Sequence, residues 1–441
     1  MKNIILRPIL PALTLVIVNI TLLNMSYSSS ALADAPIVTD ATKSLHSHSQ
    51  ALTLEAALER TLKHNPALSR FKFRNQYLQA QKTQGQLRPA LALDIALENV
   101  AGTQQYQGFD SAELTMALSS VIERGGQRRA RGALSDTYLS QSQLHQQLKS
   151  LDVLANVTRL YIDTLAAQER VALAKRSLLF AQKNDATVRQ RVDAGAAPSA
   201  DASRAQSSAL QAQLTVQAER QHLNTLKMAL AAQWGSYKPD FNKLTGSLYQ
   251  QPSAQAFEAL FEHVKKSPNV QIYTAQARVN SAQLRLAEAE SATNIGWSVG
   301  VKQWQDASSH NSQALTASVS RPLFSAKRNK ASIAMIKANQ AQDTVLQEQA
   351  LLNFYNQLYR AYNSRQQALL TLKTLRDHII PLLKQARQQT QQAYQKGRYS
   401  YLEYISSNTE LIAAERAQID SAAAALKYNT QIEQLTGQLQ P

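Results

Sequence analysis

The chain has 441 residues, a formal net charge of +16 and no cysteine. The missing thiol excludes a disulfide scaffold, thiolate metal sites, thiol catalysis and a lipidated cysteine at the mature N-terminus. Gly and Pro are scarce at 13 and 12, aromatics make up 6%, and Ala, Gln and Leu fill long stretches, so the composition predicts long helices.

Residues 1–33 read as a secretory signal. Lys2 and Arg7 give a positive n-region, residues 9–23 are mostly apolar, and Ala31-Leu32-Ala33 offers a small-residue cleavage site. The apolar run is short for a spanning helix, which takes about 20 residues. Residues 34–50 are polar and predict a flexible tail. His46 and His48 within it could ligate a metal, but two imidazoles without a third ligand make a weak site.

The rest of the chain is one module written twice. Leu58, Leu62 and Pro66 recur 202 residues on as Leu260, Val264 and Pro268, and Gly195 and Asp201 recur at the same spacing as Gly397 and Glu403. Ser119 and its three successors face residues 320–323 at a spacing of 201. The first repeat is assigned to residues 51–233 and the second to 256–437, with 234–255 as linker, marked by Gly235, Pro239, Gly246 and Pro252.

Each copy has the same order of parts. In the first, a short amphipathic helix (Leu54, Leu58, Leu62) ends at Asn65-Pro66, and a second helix runs to about Gln86. Two alternating segments come next, then a helical stretch from about Gln127 to Asp193, whose counterpart runs from about Arg328 to Lys396. Roughly 67 residues at about 1.5 Å each span about 100 Å, far more than an ordinary domain. Leu144, Leu148, Leu151, Ala155, Thr158, Ile162 and Leu165 form a 4-3-4-3 seam, and Leu154 and Tyr161 mark a second. A long hairpin in a bundle and a helix with neighbours on both sides, as in a closed wall, both fit. Tight turns at Gly195 and Gly397 send the chain back along a final helix.

The alternating segments, about 91–99, 113–122, 294–303 and 313–321, predict strands. Leu91, Leu93, Ile95 and Leu97 alternate with small or acidic residues, as do Leu114, Met116 and Leu118. Ile295, Trp297, Val299 and Val301 obey the same rule, and so do Leu315, Ala317 and Val319. Behind a signal peptide, this period fits membrane strands with one face in lipid and the other in water; an ordinary half-buried sheet is the alternative. Four strands cannot close a barrel, because known barrels start at about eight, and open edges cannot sit in lipid. Membrane strands therefore require several chains in one barrel, eight strands from two copies or twelve from three.

Together these parts resemble the outer membrane factor family, the TolC-like exit ducts of tripartite efflux pumps. The resemblance rests on Leu52-Thr53-Leu54-Glu55-Ala56-Ala57-Leu58, His64-Asn65-Pro66-Ala67-Leu68, Val192-Asp193-Ala194-Gly195 with Asp201, and Arg321-Pro322-Leu323-Phe324. Glu98-Asn99-Val100-Ala101-Gly102, Gly108-Phe109-Asp110-Ser111-Ala112-Glu113 and Glu123-Arg124-Gly125-Gly126-Gln127-Arg128 look like the heavy-metal, CzcC-like branch, from whose usual pattern Arg124 and Gln127 depart. The resemblance implies a mainly α fold with a small membrane β-barrel portion. Long antiparallel helical hairpins would form a periplasmic α-barrel, and four strands per chain would be completed as a twelve-stranded barrel in a homotrimer. It implies an outer-membrane location, a periplasmic adaptor, an inner-membrane RND transporter and export of divalent cations such as cobalt, zinc and cadmium. It also puts the turns at Gly195 and Gly397 at the periplasmic tips and the loops 102–109 and 306–311 outside the cell.

No catalytic constellation and no cofactor motif stands out, and His64, His145, His222, His263, His310 and His378 are scattered singly. The resemblance implies a gate at the tips, where Asp201 pairs with Tyr394; Tyr399 stands where one branch has a basic residue. Glu403 and Asp193 could form carboxylate rings that attract cations. Asp201 and Glu403 also sit near helix starts, where acids cap, and both roles remain open. Arg124, Arg128, Arg129 and Arg131, with Lys327, Arg328 and Lys330 in the second copy, come just after the second strand of each repeat. They are expected at the membrane surface, against anionic headgroups, with a solvated face as the alternative. Secretion argues against nucleic acid as a partner. The competing readings are a duct for drugs or secreted protein and a pore-free periplasmic coiled-coil protein.

Overall fold

A computed structural model describes residues 51–109, 111–253, 255–305, 311–323 and 326–439. The signal segment, the tail with His46 and His48, residues 306–310, Phe324 and the side chains of Lys327 and Arg328 lie outside the described residues.

In the first half, β1 (Ala51–Leu52) leads into α1 (Leu54–His64) and α2 (Pro66–Gln86). Asn65 makes the joint between these helices: it ends α1, its side chain accepts from Ala67 N at 2.9 Å, and it donates to the Gln233 carbonyl at 2.7 Å. Pro66 opens α2, where its missing N–H costs nothing. Next come β2 (Ala92–Glu98), β3 (Glu113–Ile122), α3 (Gln127–Asp193) and α4 (Ser199–Ala232). A short β4 (Lys243–Leu244) precedes the second half: α5 (Phe257–Lys266), α6 (Pro268–Glu290), β5 (Ile295–Gln305), β6 (Asn311–Ser320) and α7 (Ala326–Thr374). A π-turn (Leu375–Ile379) joins α7 to α8 (Ile380–Gln395), and α9 (Tyr401–Thr436) returns.

The π-turn interrupts the long helical stretch expected to reach Lys396. Pro381, just beyond it, lacks an N–H and would collide with a carbonyl one turn back in a regular helix; the wider turn relieves both. The turn also accounts for the shift in repeat spacing from 201 at Ser119 to 202 at Gly195, since a π-turn absorbs one extra residue and leaves the facing of α8 unchanged.

The four long strands form one antiparallel sheet in the order β2-β3-β5-β6. Its two edges, β2 and β6, run in opposite directions. In the upper helical layer α2 packs on α3, α3 on α6 and α6 on α7. Below, α4 packs on α3, α3 on α9, and α9 on α7 and α8. The largest core lies where these layers meet. There β1 pairs in parallel with β4, and Tyr161, 4% exposed, donates its hydroxyl to the carbonyls of Leu52 and Thr245. Leu58, Leu154, Leu165, Leu230 and Leu248 surround it. Arg365 fastens the linker to α7 by donating to the Pro252 carbonyl at 2.5 Å.

Candidate functional site: sheet, collar and tip

No described helix is long and apolar enough to cross a membrane. The sheet has one apolar and one polar face. Its register aligns Leu93, Leu118, Val299 and Ala317 in one row, and Ile95, Met116, Val301 and Leu315 in the next. Leu97 and Leu114, then Trp297 and Val319, lie on the same face, as does Ile295, and Leu91 immediately precedes β2. Leu91, Leu93, Leu315 and Val319 are 62–84% exposed, an aliphatic surface that water alone would not favour.

The opposite face carries Ala92, Ser119, Ser298 and Ser318 in one row and Asp94, Ala117, Gly300 and Thr316 in the next. Ser119 donates to Asp94 at 2.6 Å, and the Ser298 and Ser318 hydroxyls meet at 2.8 Å. Toward the strand-connecting loops, Lys302 is paired with Glu113 and lies 3.8 Å from Glu98. Gly300 is required by space: a Cβ there would strike the Met116 carbonyl oxygen and lie 2.7 Å from Ala117 Cα.

A collar joins sheet to helices. Gly125 turns the chain sharply after β3 at φ +71°, and a Cβ there would strike the Ala289 carbonyl at 2.5 Å. Gln127, at the start of α3, ties this turn to the end of α6 by donating to Ala292 O (3.1 Å) and Asn294 Oδ1 (2.9 Å). Of the basic residues expected at the membrane surface, Arg124, Arg128, Arg129 and Lys330 are exposed. Arg131 differs. Its guanidinium forks onto Glu123 at 2.7 and 2.9 Å and donates to the Gly85 carbonyl at 2.8 Å, a strut between α2 and α3 that leaves it little reach toward lipid. That hydrogen bond holds the Glu123 carboxyl below the usual range.

At the far end the hairpin turns are built alike. Gly195 and Gly397 adopt φ +70° and +72°, and the next residue donates back to Arg191 O or Ala393 O, so conformation, not space, selects glycine. Asp193 is exposed and Tyr399 is 49% exposed. Glu403 closes a capping box: its carboxylate accepts from Ser400 N (2.7 Å) and Ser400 Oγ (2.8 Å), and its own N–H donates to Ser400 Oγ (3.3 Å). These bonds hold its pKa below the ordinary value, and within the chain they make the acid a cap.

Asp201 and Tyr394 are not joined within the chain. Asp201 lies 3.7 Å from Arg204, and the buried Tyr394 hydroxyl has no hydrogen-bond partner. Arg191 of α3 takes hold of Tyr394 instead, with its guanidinium 4.5 Å from the ring centre and a 3.1 Å bond to the Tyr394 carbonyl. The ring stacks on Tyr404 at 5.2 Å, Tyr401 meets it edge-on, and Asn184 donates to the Tyr401 hydroxyl at 3.1 Å. This aromatic plug joins the two hairpin tips of one chain. Sequence reasoning missed Arg191, Asn184, Tyr401 and Tyr404; the crowding of four tyrosines (Tyr394, Tyr399, Tyr401 and Tyr404) around one turn was the available signal. Among the described residues, no three His, Asp or Glu gather where they could hold a metal ion.

The site is thus a sheet with an aliphatic and a polar face, carried on helices of up to 67 residues. Solved structures of this fold include CusC, described as forming a transmembrane channel (TM-score 0.73, 17% identity, 87% of this chain and 91% of that one). Another is the outer membrane protein VceC of Vibrio cholerae (TM-score 0.70, 17% identity, 87% and 96%). The fold is that of the TolC-type outer membrane channels. In sequence the chain is similar to the cobalt-zinc-cadmium resistance protein CzcC of Cupriavidus metallidurans, 25% identical over 323 residues, 73% of this chain and 77% of that protein. In fold the chain thus resembles outer membrane channels, and in sequence a heavy-metal resistance protein. No protein-family model matches the sequence.

Proposed function

We propose that the chain is the outer-membrane exit duct of a tripartite RND-type efflux system and that its cargo is divalent heavy-metal cations. The two-faced sheet carries this reading. Its aliphatic face suits lipid, its small polar face suits water, and its unpaired edges can be satisfied in a bilayer only by further copies. Three copies supply twelve strands and a wall of helices, with the interior left to water. No chemistry is needed in the wall; the inner-membrane transporter supplies energy, and a periplasmic adaptor meets the tips. Similarity to CzcC supports the cargo. The plug around Tyr394, with Asp201 beside it, narrows the tip, while Arg124, Arg128, Arg129 and Lys330 contact anionic headgroups below the strands.

Growth of a deletion strain on zinc, cobalt, cadmium, copper and silver salts, with dyes and antibiotics alongside, tests the reading. Sensitivity to some divalent metals, rescued by the intact gene, is expected. Sensitivity to drugs alone would retain the duct and overturn the cargo.

A further inference from the structure

Where the two repeats meet, a cavity of about 520 Å³ opens between the start of α1, the middle of α3, the linker and the end of α9. That volume suits a small organic molecule. Leu54, Leu58, Ile162, Leu165 and Leu426 give it an apolar wall. Glu433 of α9 stands at its polar side, and Glu55 of α1 is a second acid; no Lys, Arg or His lines the cavity. An acid-only cavity runs against the balance of a chain with 47 basic and 31 acidic residues.

The donors around Glu433 are largely spent. Its carboxylate accepts a 2.7 Å bond from Asn429, one turn back on α9, and among the described residues no other donor and no ion pair reaches it. Thr158 and Thr430 donate at 3.0 Å to the Leu154 and Leu426 carbonyls of their own helices. The Tyr161 hydroxyl is taken by the carbonyls of Leu52 and Thr245, and the Thr245 hydroxyl donates to Leu52 O at 3.2 Å. Arg365 of α7 attracts the carboxylate, but its guanidinium bonds the Pro252 carbonyl. A half-buried carboxylate with acceptor capacity unused calls for a cationic donor. We infer that this cavity binds a small amphipathic amine, its ammonium group on Glu433 and its hydrocarbon part along the leucine wall. Glu55 adds a second negative charge to the same cavity. Burial raises the proton affinity of Glu433, and an ammonium at hydrogen-bond distance offsets that desolvation. The site lies within one chain and does not rest on the duct reading. A lipid headgroup could carry the same amine, but Tyr161, which lines the cavity, is about 50 Å along α3 from Gln127 at the collar. Lipid around the sheet is therefore out of reach, and the ligand is a free amine.

Calorimetric titration of the full-length protein in an uncharged detergent tests this, with n-octylammonium, n-octanol and n-octanoate as probes of one chain length. Octylammonium should bind, octanol more weakly, and octanoate not at all. Glu433→Gln keeps the shape of the side chain and removes its charge. It should weaken octylammonium about tenfold, the worth of one charge-assisted hydrogen bond, and leave octanol unchanged. Uptake by micelles is the same for wild type and variant, so the difference between them reads the cavity. No binding by octylammonium, equal binding of all three probes, or undiminished octylammonium binding by the variant would overturn the inference. A short-chain phosphatidylethanolamine should fail to displace octylammonium; displacement would assign the site to lipid and overturn the free amine. If Glu433→Gln does not fold, Leu54→Trp, at a half-buried position of the wall, carries the test. It fills the apolar end and should weaken octylammonium and octanol alike, and unchanged affinities would place both probes elsewhere.

Discussion

The Tyr394 ring is held by the Arg191 guanidinium and by the stacked Tyr404 ring, while its hydroxyl makes no bond. The ring therefore matters more than the oxygen. Tyr394→Phe should leave the tip intact, whereas Arg191→Ala should loosen it by about 0.5–2 kcal/mol, the range of a partly desolvated cation–π contact. Hydrogen exchange over residues 390–405 and entry of a bulky antibiotic would both read this; a Tyr394→Phe variant that opens the tip would restore the hydroxyl to importance. Glu433 offers a second residue-scale test. Burial pushes its carboxyl above the ordinary range, against the hydrogen bond from Asn429 and the attraction of Arg365. The folded chain thus holds this proton more tightly than the unfolded one, so stability falls as pH rises from the unfolded value through the folded one. Glu433→Gln should raise the melting temperature at pH 7 by about 1–3 °C, with the gain shrinking at acidic pH. At this scale the sequence was legible in part. Glycines at the tips and an acid near a helix start can be read from spacing, but Arg191 becomes significant only when two helices over 200 residues apart in sequence are brought together.

At the level of elements, alternation revealed the strands because the pleat sends successive side chains to opposite faces, and that rule needs no tertiary context. It could not reveal that β3 pairs with β5, with Ile122 opposite Ile295, nor that Gly300 lies close against the β3 backbone. Gly300→Val should therefore remove assembled protein from the outer membrane, while Thr316→Val, its neighbour in register, should be tolerated. Assembly of both variants at wild-type level would refute the close approach. The π-turn left a trace in the sequence, a repeat spacing that grows by one and a proline inside a helical pattern, yet neither alone locates it. β1 and β4 left none, since two residues are too few to show a period.

For the whole molecule, fold class was open to sequence reading because duplication, helix length and strand alternation are repeated many times along the chain and reinforce one another. The choice between a bundle and a wall was not, because one chain shows only rows of helices with uncovered ends. Those ends determine more than adhesion. Since β2 and β6 run in opposite directions, a second copy can add antiparallel strands at either edge, and a third can join in the same way. Strand pairing alone would thus continue as readily into an open spiral as into a ring. Strand pairing leaves the count of copies open, so closure would have to be set by the helices, whose row ends at α2 with Phe73 and Tyr77 exposed. Trimming them to alanine should change the curvature of the wall, and with it the bore, before it separates the copies.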